Sequence, residues 1–284
     1  MKKNIALVAG GYSGEYEISI RSAGQIAQNI DREKYNVYTI VIEKSSWYYL
    51  HEDKRIEIDR NDFSLTLNGE KITFFGALII VHGTPGENGL LQGYFDMLNL
   101  PYTTCSALVS SITFDKEVCN ALVRSFDIVN VAKNTSVFKD EELDIIKIEN
   151  TISLPMFVKP SEGGSSIGMS KVSCKEDILP AIEKAFAVHE KVLIEEFIEG
   201  REFSCGVMQV GEKEIIAFPA TEIVSKTDIK VDEINDVITI DGAMLKREEK
   251  IIFPKIKCRF SKNSPKEYLD EINRAVIAGT STVL

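Results

Sequence analysis

Apolar residues cluster from Ile5 to Ala9 and stop at Gly10-Gly11; Ile18, Ala23, Ile26, Ala27 and Ile30 then recur at helical spacing. This predicts a strand, a glycine turn and a helix. Val37 to Ile42 and Ile72 to Val81 read as further buried strands, with Leu90 to Leu98 a helix, so the first hundred residues alternate β and α around a parallel sheet. A new unit starts near Cys105. Ser110 to Phe126 carries a helical pattern, Val129 to Val131 a short strand-like patch, and Met156 to Lys159 and Met169 to Val172 read as strands flanking a glycine-rich loop. Lys175 to His189 is amphipathic, with Ile178, Ile182, Ala185 and Phe186 on one face. Val192 to Phe197 is a strand, Glu202 to Val210 alternates, and Gly211-Glu212 turns a hairpin into Ile215 to Phe218. Beyond Asp228 the pattern loosens into strands at Val237 to Ile240 and Ile251 to Phe253 and a helix from Pro265 to Ala278, stopped by Gly279.

A chain of 284 residues exceeds what one small core usually organises, so two or three subdomains are expected. Acidic residues outnumber basic ones by 43 to 33, which disfavours a general nucleic-acid or anionic-membrane surface but leaves room for a local basic pocket. Five cysteines without a C-x-x-C pair argue against a zinc ribbon or a disulfide framework and fit a reducing cytoplasm. The apolar run after Lys2-Lys3 is too short for an export signal, and no stretch approaches the roughly 18 apolar residues of a membrane span.

Candidate chemistry gathers at five places. Gly10 to Gly14 lies one residue from the dinucleotide fingerprint, and Glu15 beside it would repel a pyrophosphate but attract an ammonium group. His82 to Gly93 is a loop at a strand's C-terminal end, where ligands collect. Lys159 and the Ser161 to Gly168 loop, with Glu162, Gly163, Gly164, Ser165 and Ser166, combine a cation with backbone amides and hydroxyls able to fold over phosphates. Lys116 at a helix start opposes the helix dipole unless an anion compensates it. Glu195, Glu196, Phe197, Ile198 and Glu202 place acids beside an apolar strand suited to an adenine edge and ribose hydroxyls. Each feature has a plainer counterpart in the residues alone: a tight turn, a hydrogen-bonded turn histidine, a flexible hairpin, a solvated lysine, a solvated strand face. A nicotinamide oxidoreductase using the first glycine turn would leave the 158 to 168 loop unexplained.

Together, G-G-Y-S-G-E-Y-E-I-S at 10 to 19, H-G-T-P-G-E-N-G-L-L-Q-G at 82 to 93, V-K-P-S-E-G-G-S-S-I-G at 158 to 168 and I-E-E-F-I-E-G-R-E-F at 194 to 203 resemble the D-alanine:D-alanine ligase family of the ATP-grasp superfamily, from residue 1 to about residue 226. The resemblance implies mixed α/β and α+β architecture: an N-terminal parallel α/β subdomain at 1–104, then α+β subdomains at 105–198 and 199–284 that enclose the nucleotide. It implies that Glu15 holds the ammonium of a first D-alanine, that Ser165 helps position Glu15, and that His82 lies near that substrate. By the same resemblance Lys116 and Lys159 bind ATP phosphates under the 161 to 168 loop, Glu195 to Ile198 contact adenine, and Glu202 contacts the ribose. It implies magnesium or manganese as cofactor, a homodimer, and a role in cytoplasmic cell-wall precursor synthesis.

The last sixty residues depart from the family. After Lys226 there is no aromatic-rich loop ending in lysine and tyrosine, and no arginine-x-aspartate strand to stabilise an oxyanion and bind magnesium. Glu271 and Asn273 copy the family's E-x-N metal pair, but in the helix that Tyr268, Leu269, Ile272, Ala275 and Val276 suggest they would not point the same way. Losing one oxyanion donor typically costs about a hundredfold or more in rate. The chain in this form is therefore expected to bind ATP but to form D-alanyl-D-alanine slowly or not at all. Phosphate release with ATP, magnesium and D-alanine, run beside an ATP titration, checks this. Robust D-alanine-dependent turnover by protein of verified intact mass would contradict it.

Overall fold

In the computed structural model the chain divides into two compact units, Met1–Phe114 and Asp115–Leu284. The structure describes residues 2–51, 54–210, 214–217, 220–225, 237–240 and 243–246. In the first unit β1 (Lys3–Gly10), α1 (Tyr16–Asn29) and β2 (Tyr35–Ile42) form the expected strand-helix-strand unit. They are followed by β3 (Trp47–His51), β4 (Lys54–Asp59), β5 (Ser64–Leu67), β6 (Glu70–Ile72), β7 (Gly76–Ile79), α2 (Leu90–Met97) and α3 (Ala107–Phe114). The strands make one sheet in the order β6-β5-β4-β3-β2-β1-β7. It is parallel only where β1 meets β2 and β7; from β2 to β6 it is an antiparallel meander that the sequence pattern did not reveal.

The stretch expected as one strand from Ile72 to Val81 is in fact two, at opposite ends of the strand order and separated by residues 73–75. Six interstrand spacings in a flat sheet would separate β6 from β7 by about 29 Å. Four residue steps reach only about 14 Å. The sheet must therefore curl. Its curl follows the pleat: Ala6 and Val8 of β1 join Ile40, Ile42, Trp47, Phe63, Leu65, Leu91 and Phe95 in the main core, while Leu7 and Ala9 pack with Ala23 of α1 on the other face. With both faces covered, β1 is apolar at successive positions.

The second unit contains α4 (Lys116–Ser125), β8 (Asn134–Phe138), α5 (Ile145–Thr151), β9 (Met156–Pro160), β10 (Ser170–Val172), a 3-10 turn (Lys175–Asp177), α6 (Ile178–Phe186) and β11 (Lys191–Glu196). The four strands form an antiparallel sheet in the order β10-β9-β11-β8. Ile178, Ala181, Ile182 and Ala185 of α6, and Ile148 and Ile152 near α5, cover the face formed by Met156, Val158, Val172, Val192 and Ile194. The helix expected over 110–126 breaks at Asp115, whose carboxylate caps α4 by accepting from the backbone N–H groups of Glu117 and Val118. Val129 to Val131 is not a strand, because Ile128 and Val129 are exposed with no face to bury; pairing begins at Asn134.

Glu202 to Val210 splits at Cys205-Gly206 into β12 (Glu202–Ser204) and β13 (Val207–Val210), which belong to different sheets. β13 pairs with β14 (Glu214–Ala217), as the hairpin pattern predicts. β12 joins β15 (Thr221–Ser225), β16 (Val237–Ile240) and β17 (Ala243–Lys246) in the order β12-β15-β17-β16. The strand expected at 251–253, the helix at 265–278 and the Glu271/Asn273 pair lie outside the described residues. No helix among the described residues is long and apolar enough to cross a membrane.

Candidate active site

In the first unit the chain leaves β1 for β2 on one side and returns to β7 on the other, so the loops after β1 and β7 flank a topological switch point. Ser19, fully buried, ties the two strand ends together: its hydroxyl accepts from Gly10 N–H at 2.9 Å and donates to Ile80 O at 2.6 Å. Gly11 must be glycine, because its φ is +114° and a Cβ would lie 2.8 Å from Val81 Cγ1. Beyond it, Tyr12 N–H donates to Thr84 O at 2.7 Å, and the Ser13 hydroxyl donates to His82 O at 2.9 Å. Glu15 occupies the N-cap position of α1 without a side-chain cap bond and is only 9% exposed. Its Oε2 would lie 3.5 Å from a Cβ on Gly83, the residue after half-buried His82. The structure thus gathers Glu15 and His82 on two stapled loops, with a buried carboxylate suited to a small cation.

The pleat of β9 and β11 arranges the second unit's chemistry. Met156, Val158, Val192 and Ile194 face the helices, which leaves Lys159 and Glu195 on the opposite face. Lys159 pairs in register with Leu193, so Glu195 is its diagonal neighbour, and the ammonium and carboxylate form an ion pair. The connection from β9 to β10 bends at Ser165 and Ser166, both at positive φ (49° and 55°), with Ile167 N–H donating to Gly164 O at 3.2 Å. Positive φ at both central residues is the type I′ signature. Holding two serines there costs about 1–3 kcal/mol each, a strain typical of ligand clamps.

Lys116 reaches the same loop. Its ammonium donates to Gly163 O at 2.7 Å and Ser161 O at 3.3 Å. Burial, and then the neighbouring Lys159, pull its pKa down to about 8, while Asp115, Glu195 and Glu162 act in the other direction. Lys116, Lys159, Pro160, Glu162 and the stretch from Gly163 to Ile167 line a cavity of about 50 Å³. Whole-ligand pockets run to about 300–1,000 Å³, so this space suits one phosphate end rather than a complete nucleotide.

Glu195, expected at an adenine edge, here holds Lys159. Glu196 accepts from Lys133 N–H at 2.8 Å, Phe197 N–H donates to Pro155 O at 3.2 Å, and Lys171 sits 3.6 Å over the Phe197 ring. Ile198 is 64% exposed, and Glu202 is exposed on β12 in a different sheet. Ser165 belongs to the second unit and Glu15 to the first. Among the described residues no group of three or more His, Cys, Asp and Glu could hold a metal ion. Sequence reasoning missed the polar support beneath Lys116, formed by Asp115, Ser136, Glu117 and Lys191; an aspartate immediately before a helical run was the available signal.

Two family models cover most of the chain: "D-ala D-ala ligase N-terminus" matches residues 4–105 and "D-ala D-ala ligase C-terminus" residues 122–250. The D-alanine--D-alanine ligase of Phocaeicola vulgatus is 48% identical over 229 residues, covering 80% of this chain and 70% of that protein. That of Parabacteroides distasonis is 45% identical over 229 residues, covering 80% and 69%. Among solved structures, the VanG D-Ala:D-Ser ligase from Enterococcus faecalis superposes with a TM-score of 0.73 at 26% identity, over 99% of this chain and 83% of that one. The D-alanyl-alanine synthetase A of Vibrio cholerae shares the fold, with a TM-score of 0.74 at 24% identity over 98% and 81% of the two chains. By these matches, and by the motifs that form its two sites, the chain belongs to the D-alanine–D-alanine ligase family.

Proposed function

We infer that the chain is an ATP-dependent carboxylate-amine ligase that joins two D-alanines for peptidoglycan precursor synthesis. The observation that carries the nucleotide half is the convergence of Lys116 and Lys159 on one strained, donor-rich loop. A carboxylate is a poor acylating agent. Its oxygen attacks the γ-phosphorus of ATP, ADP leaves, and an acyl phosphate forms; the amine of the second D-alanine then attacks the carbonyl, inorganic phosphate departs with the C–O bond pair, and the amine loses a proton. Both steps accumulate negative charge, which preorganised ammonium groups and loop amides stabilise. An acyl phosphate hydrolyses, so exclusion of water matters.

In this reading Glu15 binds the ammonium of the first D-alanine, Ser165 positions Glu15, and His82 borders the same substrate. Lys116 and Lys159 hold phosphates beneath Glu162, Gly163, Gly164, Ser165 and Ser166. Glu195, Glu196, Phe197 and Ile198 meet adenine, and Glu202 the ribose. For Lys159 to reach a phosphate it must give up part of its pairing with Glu195. Magnesium or manganese would neutralise phosphate charge when bound; Glu271 and Asn273, which copy the family's metal pair and lie outside the described residues, would hold it only if the chain there brings them to one side. The three-subdomain division, a homodimer and a cytoplasmic setting complete the proposal.

Nucleotide binding with impaired turnover is the second reading, favoured by the departures after Lys226 from the family's oxyanion and metal motifs. Two variants test the shared site assignments. Glu15→Gln should weaken D-alanine binding about tenfold or more while leaving ATP binding unchanged, since it deletes one charge-assisted contact. Equal losses for both ligands would reduce Glu15 to a support for the turn. Lys159→Ala should weaken ATP binding far more than adenosine binding in equilibrium titrations. Equal shifts would move phosphate recognition elsewhere.

A further inference from the structure

A closed ring of polar contacts lies beneath Lys116. Asp115 Oδ1 accepts from the Ser161 hydroxyl at 2.7 Å and from the N–H groups of Glu117 and Val118 at 3.0 and 3.2 Å. Its Oδ2 meets Lys191 Nζ at 3.1 Å. Lys191 also pairs with Glu117, whose second oxygen accepts from the Ser136 hydroxyl at 2.6 Å. Ser161 closes the ring through its backbone: its N–H donates to Lys191 O, and its carbonyl accepts from Lys116 N–H, each at 2.9 Å. Ser161 is fully buried, and the side chains of Lys191 and Asp115 are only 12% and 18% exposed.

The connectivity has a mechanical consequence. The acceptors that hold the Lys116 ammonium are the carbonyls of Ser161 and Gly163, so the loop itself sets where that ammonium sits. The loop's first residue is fixed to Asp115, which also fixes the first turn of the helix bearing Lys116. A cation at a helix N-terminus next to a second cation has no electrostatic reason to stay there unaided. Burial would raise the Asp115 carboxyl, yet bonds from Ser161, Val118 and Lys191 hold it below the usual range, so it remains an anion across the working pH.

We propose that Asp115, acting through Ser161, is a positioning residue that locks Lys116 and the Ser161–Gly168 loop into one register, so that ammonium and loop amides address the same phosphate. This rests on the ATP-binding reading. Asp115 touches no phosphate itself; it determines where the groups that do are held.

The test uses the full chain, ATP and adenosine, titrated across pH, with Ser161→Ala and Asp115→Asn. Ser161→Ala removes the hydroxyl tie and should weaken ATP binding about tenfold, leaving adenosine affinity unchanged. Asp115→Asn keeps a capping oxygen, since asparagine caps as well as aspartate, but removes the negative charge. Four charged groups act on Lys116: Lys159 lowers its pKa, whereas Asp115, Glu195 and Glu162 raise it. In the unaltered chain ATP affinity should fall as pH rises through about 8. Deleting the Asp115 charge should move that fall to lower pH, while Ser161→Ala should leave it in place. A purely structural role would shift ATP and adenosine affinities together, and that result in both variants overturns the proposal. Unchanged ATP affinity in Ser161→Ala, with an unmoved pH profile in Asp115→Asn, overturns it while the ATP reading stands. Failure of the unaltered chain to bind ATP at any pH removes the reading and the proposal with it.

Discussion

Two ammonium groups that line one half-buried cavity repel one another, and the second unit is built around that constraint. Lys116 carries the cost in its lowered pKa, for which burial is the main cause and Lys159 the next. The fold tolerates it by distributing counter-charge: Glu195 is tied to Lys159, Glu162 lines the rim, and Asp115 stands beneath, itself balanced by Lys191. Each lysine thus has a carboxylate within reach, and Glu195 competes with any phosphate for Lys159. In the ATP-binding reading a polyphosphate takes the place of part of the Glu195 pairing, and the ammonium groups held there by the fold become a source of affinity.

Backbone geometry makes this arrangement possible at low cost elsewhere. The two-residue period of β9 and β11 puts valine and isoleucine against α5 and α6 and sends lysine and glutamate to the other face, so one pair of strands carries both core and chemistry. The left-handed turn at Ser165 and Ser166 then brings the chain back into β10, and the loop lines one cavity with Lys116 and Lys159. In the first unit a buried serine staples two strand ends, and the glycines between them allow the loops bearing Glu15 and His82 to approach without a Cβ in the way. Rigid strands set positions, and short loops present functional groups.

Much of this was legible in the residues. Strong periodicity located β1, α1, β2, β9, α6 and β11, and the motifs at 10 to 19, 82 to 93, 158 to 168 and 194 to 203 named the family. The meander from β3 to β6 went unread because its strands are short and carry polar residues such as Lys54, Arg55, Glu57 and Lys71, although Asn68-Gly69, both at positive φ between β5 and β6, is a hairpin signal that was there to read. The break at Asp115 was hidden within continuous helical periodicity, since two helices meeting at a cap share one apolar rhythm. The ion pair between Lys159 and Glu195 depends on register between segments 36 residues apart, which no local pattern encodes.

Proton uptake on nucleotide binding tests the central electrostatic claim most directly. Burial and Lys159 pull the Lys116 ammonium down to about 8, and a bound polyphosphate would raise it again. Calorimetric titration with ATP at pH 8, in buffers of differing ionisation enthalpy, should therefore register net proton uptake on nucleotide binding, with none for adenosine. Uptake of equal size for adenosine, or ATP binding with no proton linkage at all, would contradict the view that this half-buried pair of lysines is held for phosphate.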